Sequence, residues 1–428
     1  MTRRGAALLL VCAPVIAAGA AVDTLYVLGL ALLGAAAVVI VVDGRRAPRP
    51  RDIDVRREHD EMLSVGAENQ IVLRVHTRRH TRAHVRDECP GRARPSVTAW
   101  RARIPAELAY TVTPRARGEL DFGRTVVRAH GPWELGWRQM ALGHPETVPV
   151  EANIAAVRVY EALARRGQLA ELGVRTLRLR TEGTEFERIR EAVPDDSLRS
   201  INWKATARTG RLMATELMPE RAQPVIVCLD HGRLMGVGAG DLAKLDHAIN
   251  AALLLVHVAL RSGDRAGLLG FADTVSVALA PRAGPAQLRR FLDAVRPLRA
   301  GETEADYDAA FEYLSRWQSR RALIIVFTDV LDPEQGRALI RQCIRLRRRH
   351  LPLVVTVRDP AIDDAARRRP LSGADAYARA VASGLIADRE DTLQLLRRSG
   401  VETIDADART LSPRLVNRYL ALKRQARL

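Results

Sequence analysis

Aromatic side chains are scarce in this chain: Phe, Trp and Tyr together make up 4% of its 428 residues. A protein that reads single-stranded nucleic acid needs aromatic platforms set between its cations, and no such interleaving is present. Cysteine is scarcer still. Cys12, Cys89, Cys228 and Cys343 stand far apart with no C-x-x-C pair, so a thiolate zinc site and a redox dithiol both lack the spacing they need. Cys228 lies in an apolar run and reads as a buried, inert thiol. Lysine occurs only at Lys204, Lys244 and Lys423, which leaves almost all the positive charge to arginine. G-x-S-x-G, P-loop and H-E-x-x-H motifs are missing too. The ten histidines are scattered, and His130, His231, His247 and His257 have no motif partner.

What is present is charge and apolar mass. The formal charge is +17 and apolar residues are 47% of the chain, enough for the two or three cores that this length requires. The arginines are spread over every segment, as a compositional habit is, whereas a phosphate-reading footprint would be clustered. Nucleic acid is therefore not expected as a partner.

Two apolar runs open the chain, Ala6 to Val22 and Leu25 to Val42, separated by Asp23 and Thr24. As helices each would rise about 26 Å, close to the thickness of a bilayer's hydrocarbon core. Arg3 and Arg4 precede the first run, and Arg45, Arg46, Arg49 and Arg51 follow the second. Arginine at both ends predicts a transmembrane helical hairpin over residues 1–44, held in membrane lipid with both ends and the bulk of the chain cytoplasmic. The localisation expected is thus the cell membrane, multi-pass. A competing reading takes Ala17 to Ala21 as a signal-peptide cleavage region, with the second run as an anchor and the remainder outside. The hairpin is preferred.

Residues 52–150 alternate as short strands do, in Ile71 to Val75, in Leu108, Tyr110 and Val112, and in Thr125 to Val127, with turns at Cys89-Pro90-Gly91 and His130-Gly131-Pro132. This predicts a small antiparallel β-sandwich. Trp133 and Trp137 read as packing residues. Residues 151–222 form a connector and a charged segment. From 223 to 428, buried strands alternate with amphipathic helices, the pattern of an α/β domain with a parallel central sheet. The strands expected are Val225 to Leu229, Ala266 to Phe271, Ala322 to Phe327, 353–357 and 401–405. The helices expected are one carrying Leu242, Leu245, Ile249, Leu253, Val256 and Leu260, then 285–296, 304–320, 333–349, 386–398 and one from 413. Arg337, Arg341, Arg345 and Arg348 fall on one solvated helix face.

Gly183 to Glu216 interleaves acids, bases and aromatics: Glu185, Phe186, Arg190, Glu191, Asp195, Asp196, Arg199, Asn202, Trp203, Lys204 and Arg208. The order G-x-E-F-x-x-x-R-E, then P-x-D, then R-x-I-x-W-x-x-x-A-R resembles the signature of the domain-of-unknown-function 58 family. Ala192 stands where that family often has an aromatic, and Asp195 where it often has Gly. Residues 114–133 resemble the same family's sandwich pattern, with Glu134 in place of a Gly.

The resemblance implies a von Willebrand factor A-like C-terminal domain with a metal-ion-dependent adhesion site at its strand ends. Asp230 matches the first Asp of that site, Thr303 the distant Thr and Asp329 the later Asp, but Gly232 and Leu234 replace its two serines. Such a degenerate site would hold Mg2+ weakly at most, and no other cofactor is expected. The resemblance also implies a MoxR-type AAA+ ATPase as partner, and so a non-enzymatic adaptor or scaffold. On the structural reading, the charged segment docks one domain on another, with Trp203 as buried anchor. The alternatives are an enzyme using the signature carboxylates Glu185 with Asp195 or Asp196, and an arginine-driven binder of anionic lipid or nucleic acid.

Overall fold

The computed structural model describes residues 2–19, 23–166, 168, 170, 173–174, 185–193, 201–218, 222–331 and 333–425. The chain forms two compact units, Met1–Glu151 and Ala152–Leu428.

The first unit opens with helices α1 (Arg3–Val11), α2 (Ala13–Ala18) and α3 (Asp23–Arg46). The first apolar run is therefore not one unbroken helix. It breaks at Cys12 because Pro14, in the first turn of α2, has no N–H to give and its ring crowds the carbonyl of Leu10. Within α3, Thr24–Arg46 is 23 residues long with a mean hydropathy of 2.8 and only 11% of its apolar window buried. Among the described residues it is the one helix long and apolar enough to cross a membrane. Helices α2 and α3 approach closely, since a Cβ on Gly29 would lie 2.7 Å from Ile16 Cγ1.

The end of α3 is fixed by Asp43, which is fully buried and accepts from the main-chain N–H groups of Trp133 (2.9 Å), Leu135 (2.8 Å) and Gly136 (2.8 Å). A side chain at Gly136 would sit 2.6 Å from Ile40 O, so the loop needs glycine there. The start of α1 meets the same loop. Thr2 Oγ1 donates to Glu134 O (2.5 Å), Thr2 N donates to Leu135 O (3.0 Å), and Arg4 pairs with Glu134 (2.8 Å).

Eleven strands follow: β1 (Ile53–Glu58), β2 (Leu63–Ser64), β3 (Asn69–Thr77), β4 (Thr81–Asp87), β5 (Ala93–Pro95), β6 (Ala99–Ile104), β7 (Ala106–Pro114), β8 (Gly118–Phe122), β9 (Thr125–His130), β10 (Trp137–Leu142) and β11 (Glu146–Glu151). They form sheets ordered β1-β3-β7-β5, β10-β9-β4-β6 and β2-β11-β8, antiparallel except where β2 pairs with β11. Period-two alternation buries Ile71, Leu73 and Val75 of β3, Ala83 and Val85 of β4, and Val127 and Ala129 of β9. Asp87 takes bonds from both four-stranded sheets: Arg57 of β1 (2.7 Å), Tyr110 of β7 (2.5 Å) and Thr125 of β9 (2.9 Å). Trp133 is not core packing. It is half exposed, with the Arg46 guanidinium 5.2 Å over its ring.

The second unit begins with α4 (Ile154–Arg166). An antiparallel ribbon of β12 (Glu185–Glu191) and β13 (Met213–Met218) follows, with α5 (Trp203–Thr209) between its strands. Then come β14 (Pro224–Asp230), a small hairpin of β15 (Gly238–Ala239) and β16 (Leu242–Ala243), α6 (Lys244–Arg261), β17 (Arg265–Phe271), β18 (Val275–Arg282), α7 (Pro285–Val295) and α8 (Tyr307–Trp317). The chain ends with β19 (Leu323–Phe327), α9 (Pro333–Arg347), β20 (Leu351–Arg358), α10 (Pro360–Arg367), α11 (Gly373–Arg398), β21 (Glu402–Asp407) and α12 (Ala408–Arg424).

The six-stranded sheet runs β18-β17-β14-β19-β20-β21, parallel except for the edge strand β18. Its central strands are apolar on both faces because helices cover both. Val225, Val227 and Leu229 pack towards α6, α7 and α12, while Ile226 and Cys228 pack towards α8, α9 and α11. Leu242 lies on β16, outside the helix whose stripe it extends in sequence. β18 and α10 were not anticipated, and α11 starts at Gly373, well before 386. Strand β18 alternates half-buried with exposed residues, as an edge strand does.

Candidate functional site at the strand ends

The order of the sheet reverses direction between β14 and β19, and the crevice beyond the carboxyl ends of such strands is where open α/β sheets take ligands. Asp230 ends β14, and Thr328 and Asp329 follow β19. All three are buried.

Asp230 Oδ1 accepts from Gly232 N (2.7 Å) and its Oδ2 accepts from Thr328 Oγ1 (2.6 Å). Thr328 Oγ1 in turn lies 2.7 Å from Tyr307 Oη, so a hydroxyl relay covers the carboxylate. Burial pushes the Asp230 carboxyl up to about 6, aided by the Asp329 charge, while the bonds from Thr328 and Gly232 pull the other way. The same burial lifts the Tyr307 phenol well above its ordinary range.

Asp329 is held by cations. Lys244, the first residue of α6 and fully buried, places Nζ 2.5 Å from Oδ2. Arg389 of α11 places Nη1 2.8 Å from Oδ1, which also accepts from Val330 N (3.0 Å). The Arg389 fork continues to Asp405 on β21 through Nη2 (2.7 Å), and Thr356 Oγ1 bonds the same oxygen (2.8 Å). The result is a desolvated chain of alternating charge across β19, β20 and β21.

Thr303 comes beside this cluster through its main chain, its carbonyl accepting from Arg233 N (2.7 Å), while the residue itself is exposed. At the rim Arg233 pairs with Glu304 (2.8 Å), and Gln335 donates to the other oxygen of Glu304 (3.0 Å). The structure thus gathers Asp230, Asp329 and the main chain of Thr303 at one end of the sheet. Lys244, Arg389, Asp405 and Tyr307 were not foreseen. One signal was available: Lys244 is one of only three lysines and begins a helix whose central residues, Ala251 to Val256, are all apolar.

The charged segment is only partly described. Gly183, Asp195, Asp196 and Arg199 lie outside the described residues, and Glu185 and Phe186 are described only as backbone of β12. Arg190 donates to the Glu191 carbonyl (3.0 Å), and Glu191 pairs with Arg211 (2.7 Å). Asn202 caps α5, accepting from Ala205 N (3.0 Å), and Gly210 closes the helix in the left-handed region. Trp203 is not a buried anchor. It is 64% exposed at the first position of a seven-residue helix too short to cover it, and Lys204 and Arg208 beside it are exposed as well.

A model of the family described as protein of unknown function DUF58 matches residues 188–366, a span that holds Arg190, Glu191, Asn202 to Arg208 and the strand-end cluster as far as Asp329. Uncharacterized proteins of Mycobacterium tuberculosis and Mycobacterium bovis are 24% identical over 180 residues, 42% of this chain and 56% of each relative. The chain thus matches little more than half the length of these relatives. Among solved structures, a conserved hypothetical protein BatB from Bacteroides thetaiotaomicron is 14% identical with a TM-score of 0.31, covering 48% of this chain and 100% of that one. An uncharacterized membrane spanning protein from Vibrio fischeri is 16% identical with a TM-score of 0.17, covering 47% and 97%. Over residues 188–366, then, the chain is similar to a family described only as of unknown function, and the mycobacterial relatives bring kinship without a reaction.

Proposed function

We propose that this chain is a membrane-anchored, non-enzymatic adaptor that presents its C-terminal unit to a protein partner. The observation that carries the reading is the exposure of Trp203 beside Lys204 and Arg208 on α5, against strand ends whose acids are already engaged. Tryptophan and arginine are the side chains that dominate binding energy at protein interfaces. A buried carboxylate bonded to an ammonium and a guanidinium is a poor base or nucleophile.

The strand order, with its antiparallel edge, supports a von Willebrand factor A-like fold for the second unit, and the sheets bridged by Asp87 support a β-sandwich in the first. The adhesion site does not fit a divalent ion in this reading. Lys244 and Arg389 stand against Asp329, so an added cation would face two positive charges in a desolvated site. The partner inferred from the family resemblance is a MoxR-type AAA+ ATPase. The meeting of Thr2 and Asp43 at one loop supports a hairpin with both ends on one side, and the arginines at those ends favour the cytoplasmic side.

The test is binding of full-length protein in nanodiscs to the purified ATPase. Trp203→Ala and Arg208→Glu should each weaken binding by roughly thirtyfold, the loss of about 2 kcal/mol typical of a hot spot, without changing thermal stability. Unchanged binding in both variants removes α5 as the surface. Catalytic turnover abolished by Glu185→Ala in a folded protein would replace the adaptor reading with the enzyme one.

A further inference from the structure

The outward face of the sheet β10-β9-β4-β6 carries charge of one sign. Because Ala83, Val85, Val127 and Ala129 point inward, their strand neighbours point out. Antiparallel register then sets Arg101 opposite His84, and His84 opposite Arg128, in one row across three strands. In the next row but one, on the same face, Arg82 stands opposite Arg103. Like charges directly opposite one another destabilise a sheet. Among the described residues no carboxylate pairs with Arg101 or Arg128, and Glu134 is taken by Arg4 and Arg82.

Two adjoining hollows share His84, Arg101 and Arg128 as lining. One of about 590 Å³ lies along the sheet, with Glu88 as its one carboxylate among the described residues, and one of about 290 Å³ is completed by Thr2, Arg3, Arg4, His130, Trp137 and the Glu134 that Arg4 and Arg82 neutralise. His130 Nδ1 is buried there without a hydrogen-bond partner, and the His84 and His130 rings lie 5.3 Å apart. Arg128 is oriented over the Trp137 ring at 4.7 Å and donates to Gln139 (2.7 Å), which leaves its Nη groups for a ligand. Burial, then neighbouring cations, hold His84 below its ordinary range, and burial does the same to His130; a bound anion would relieve both.

Position selects the ligand. The smaller hollow is bordered by the first residues of α1 and by Trp137, whose carbonyl faces Gly44 at the end of α3. If α3 crosses a bilayer, as the function proposed above requires, this hollow lies at the depth of the lipid phosphates. We propose that this sheet face is a binding site for the phosphate-bearing headgroup of an anionic phospholipid, held by Arg3, Arg101 and Arg128 with the two histidines. The cationic rows are then stabilised by the lipid they bind.

The test uses full-length protein in nanodiscs of phosphatidylcholine with and without phosphatidylglycerol, followed by detergent release and mass spectrometry of retained lipid. Wild type should retain phosphatidylglycerol, and Arg101→Glu and Arg128→Glu should each lower retention roughly thirtyfold, since one cation near an anionic surface contributes about 1 kcal/mol and reversal doubles the change. Arg128→Gln, a milder change on an exposed position, should give an intermediate loss. Flotation with neutral vesicles reads anchoring separately. Wild type that floats but retains phosphatidylglycerol no better than these variants overturns the headgroup site alone. Wild type that does not float overturns the membrane reading with it. Displacement of the lipid by millimolar inorganic phosphate identifies a free-phosphate site instead. Single-stranded nucleic acid bound more tightly than lipid, and lost in the same variants, also overturns the proposal.

Discussion

Lys244 Nζ lies 2.5 Å from Asp329 Oδ2, and neither side chain has any exposure to solvent. The pair is therefore dehydrated on both sides, and removing one partner leaves the other's charge only partly compensated. Lys244→Met leaves Asp329 with Arg389 alone and should cost about 3–5 kcal/mol in urea unfolding of the detergent-solubilised protein. The double variant Lys244→Met with Asp329→Asn should recover most of that loss. Additive losses in the two single variants would mean that the pair is not coupled.

Asp230 gives a pH dependence with a definite sign. Its carboxyl is raised from 3.8 to about 6, so the folded state binds the proton more tightly than the unfolded one. Its contribution to stability is complete below about 3.8 and is lost as pH rises through about 6, by roughly 3 kcal/mol at most. The difference in unfolding free energy between wild type and Asp230→Asn should change across that window and level off above it. A flat difference would show the carboxyl to be unperturbed.

Asp43 satisfies three main-chain N–H groups at once, those of Trp133, Leu135 and Gly136. Asp43→Ala leaves them without their acceptor and should destabilise the first unit by about 3 kcal/mol, an unsatisfied buried donor costing about 1–3 kcal/mol. Limited proteolysis should then cut within 131–136 in the variant and spare the wild type.

The thiols should report folding directly. Cys228 and Cys343 are fully buried, and burial lifts both thiols, Cys343 to about 12; half-buried Cys89 is lifted to about 11. A maleimide at pH 8 should leave Cys228 and Cys343 unmodified in the native protein and label both rapidly in urea. Fast native labelling of Cys228 would contradict its place in the sheet.

The strands of the second unit were legible because five apolar residues in a row, as in Val225 to Leu229, admit a buried strand and little else. Strand β18 was not, since an edge strand whose outer positions are solvated offers no such run. The acids Asp230 and Asp329 could be found from their place after apolar strands. Their partners could not, because Lys244 is 85 residues from Asp329 and Arg389 is 60, and local periodicity carries no information over those distances. Trp203 misled for a related reason: scarcity of aromatics suggested an anchor, but burial depends on what surrounds a side chain, and α5 has too few turns to supply a cover. In the first apolar run composition was read correctly and continuity was not, because one proline outweighs the hydropathy of its neighbours.

Lys244 opens α6, where the exposed peptide N–H groups already present partial positive charge. An ammonium there disfavours the first turn until Asp329 arrives from β19, although Asp246 in the same turn offsets part of the repulsion. The start of α6 thus gains from a contact of high sequence separation, which must wait for a long loop to close. The first turn of α6 is therefore more stable on the assembled sheet than alone, by the fraction of a kcal/mol, about 0.3–1, that a charge at a helix terminus carries.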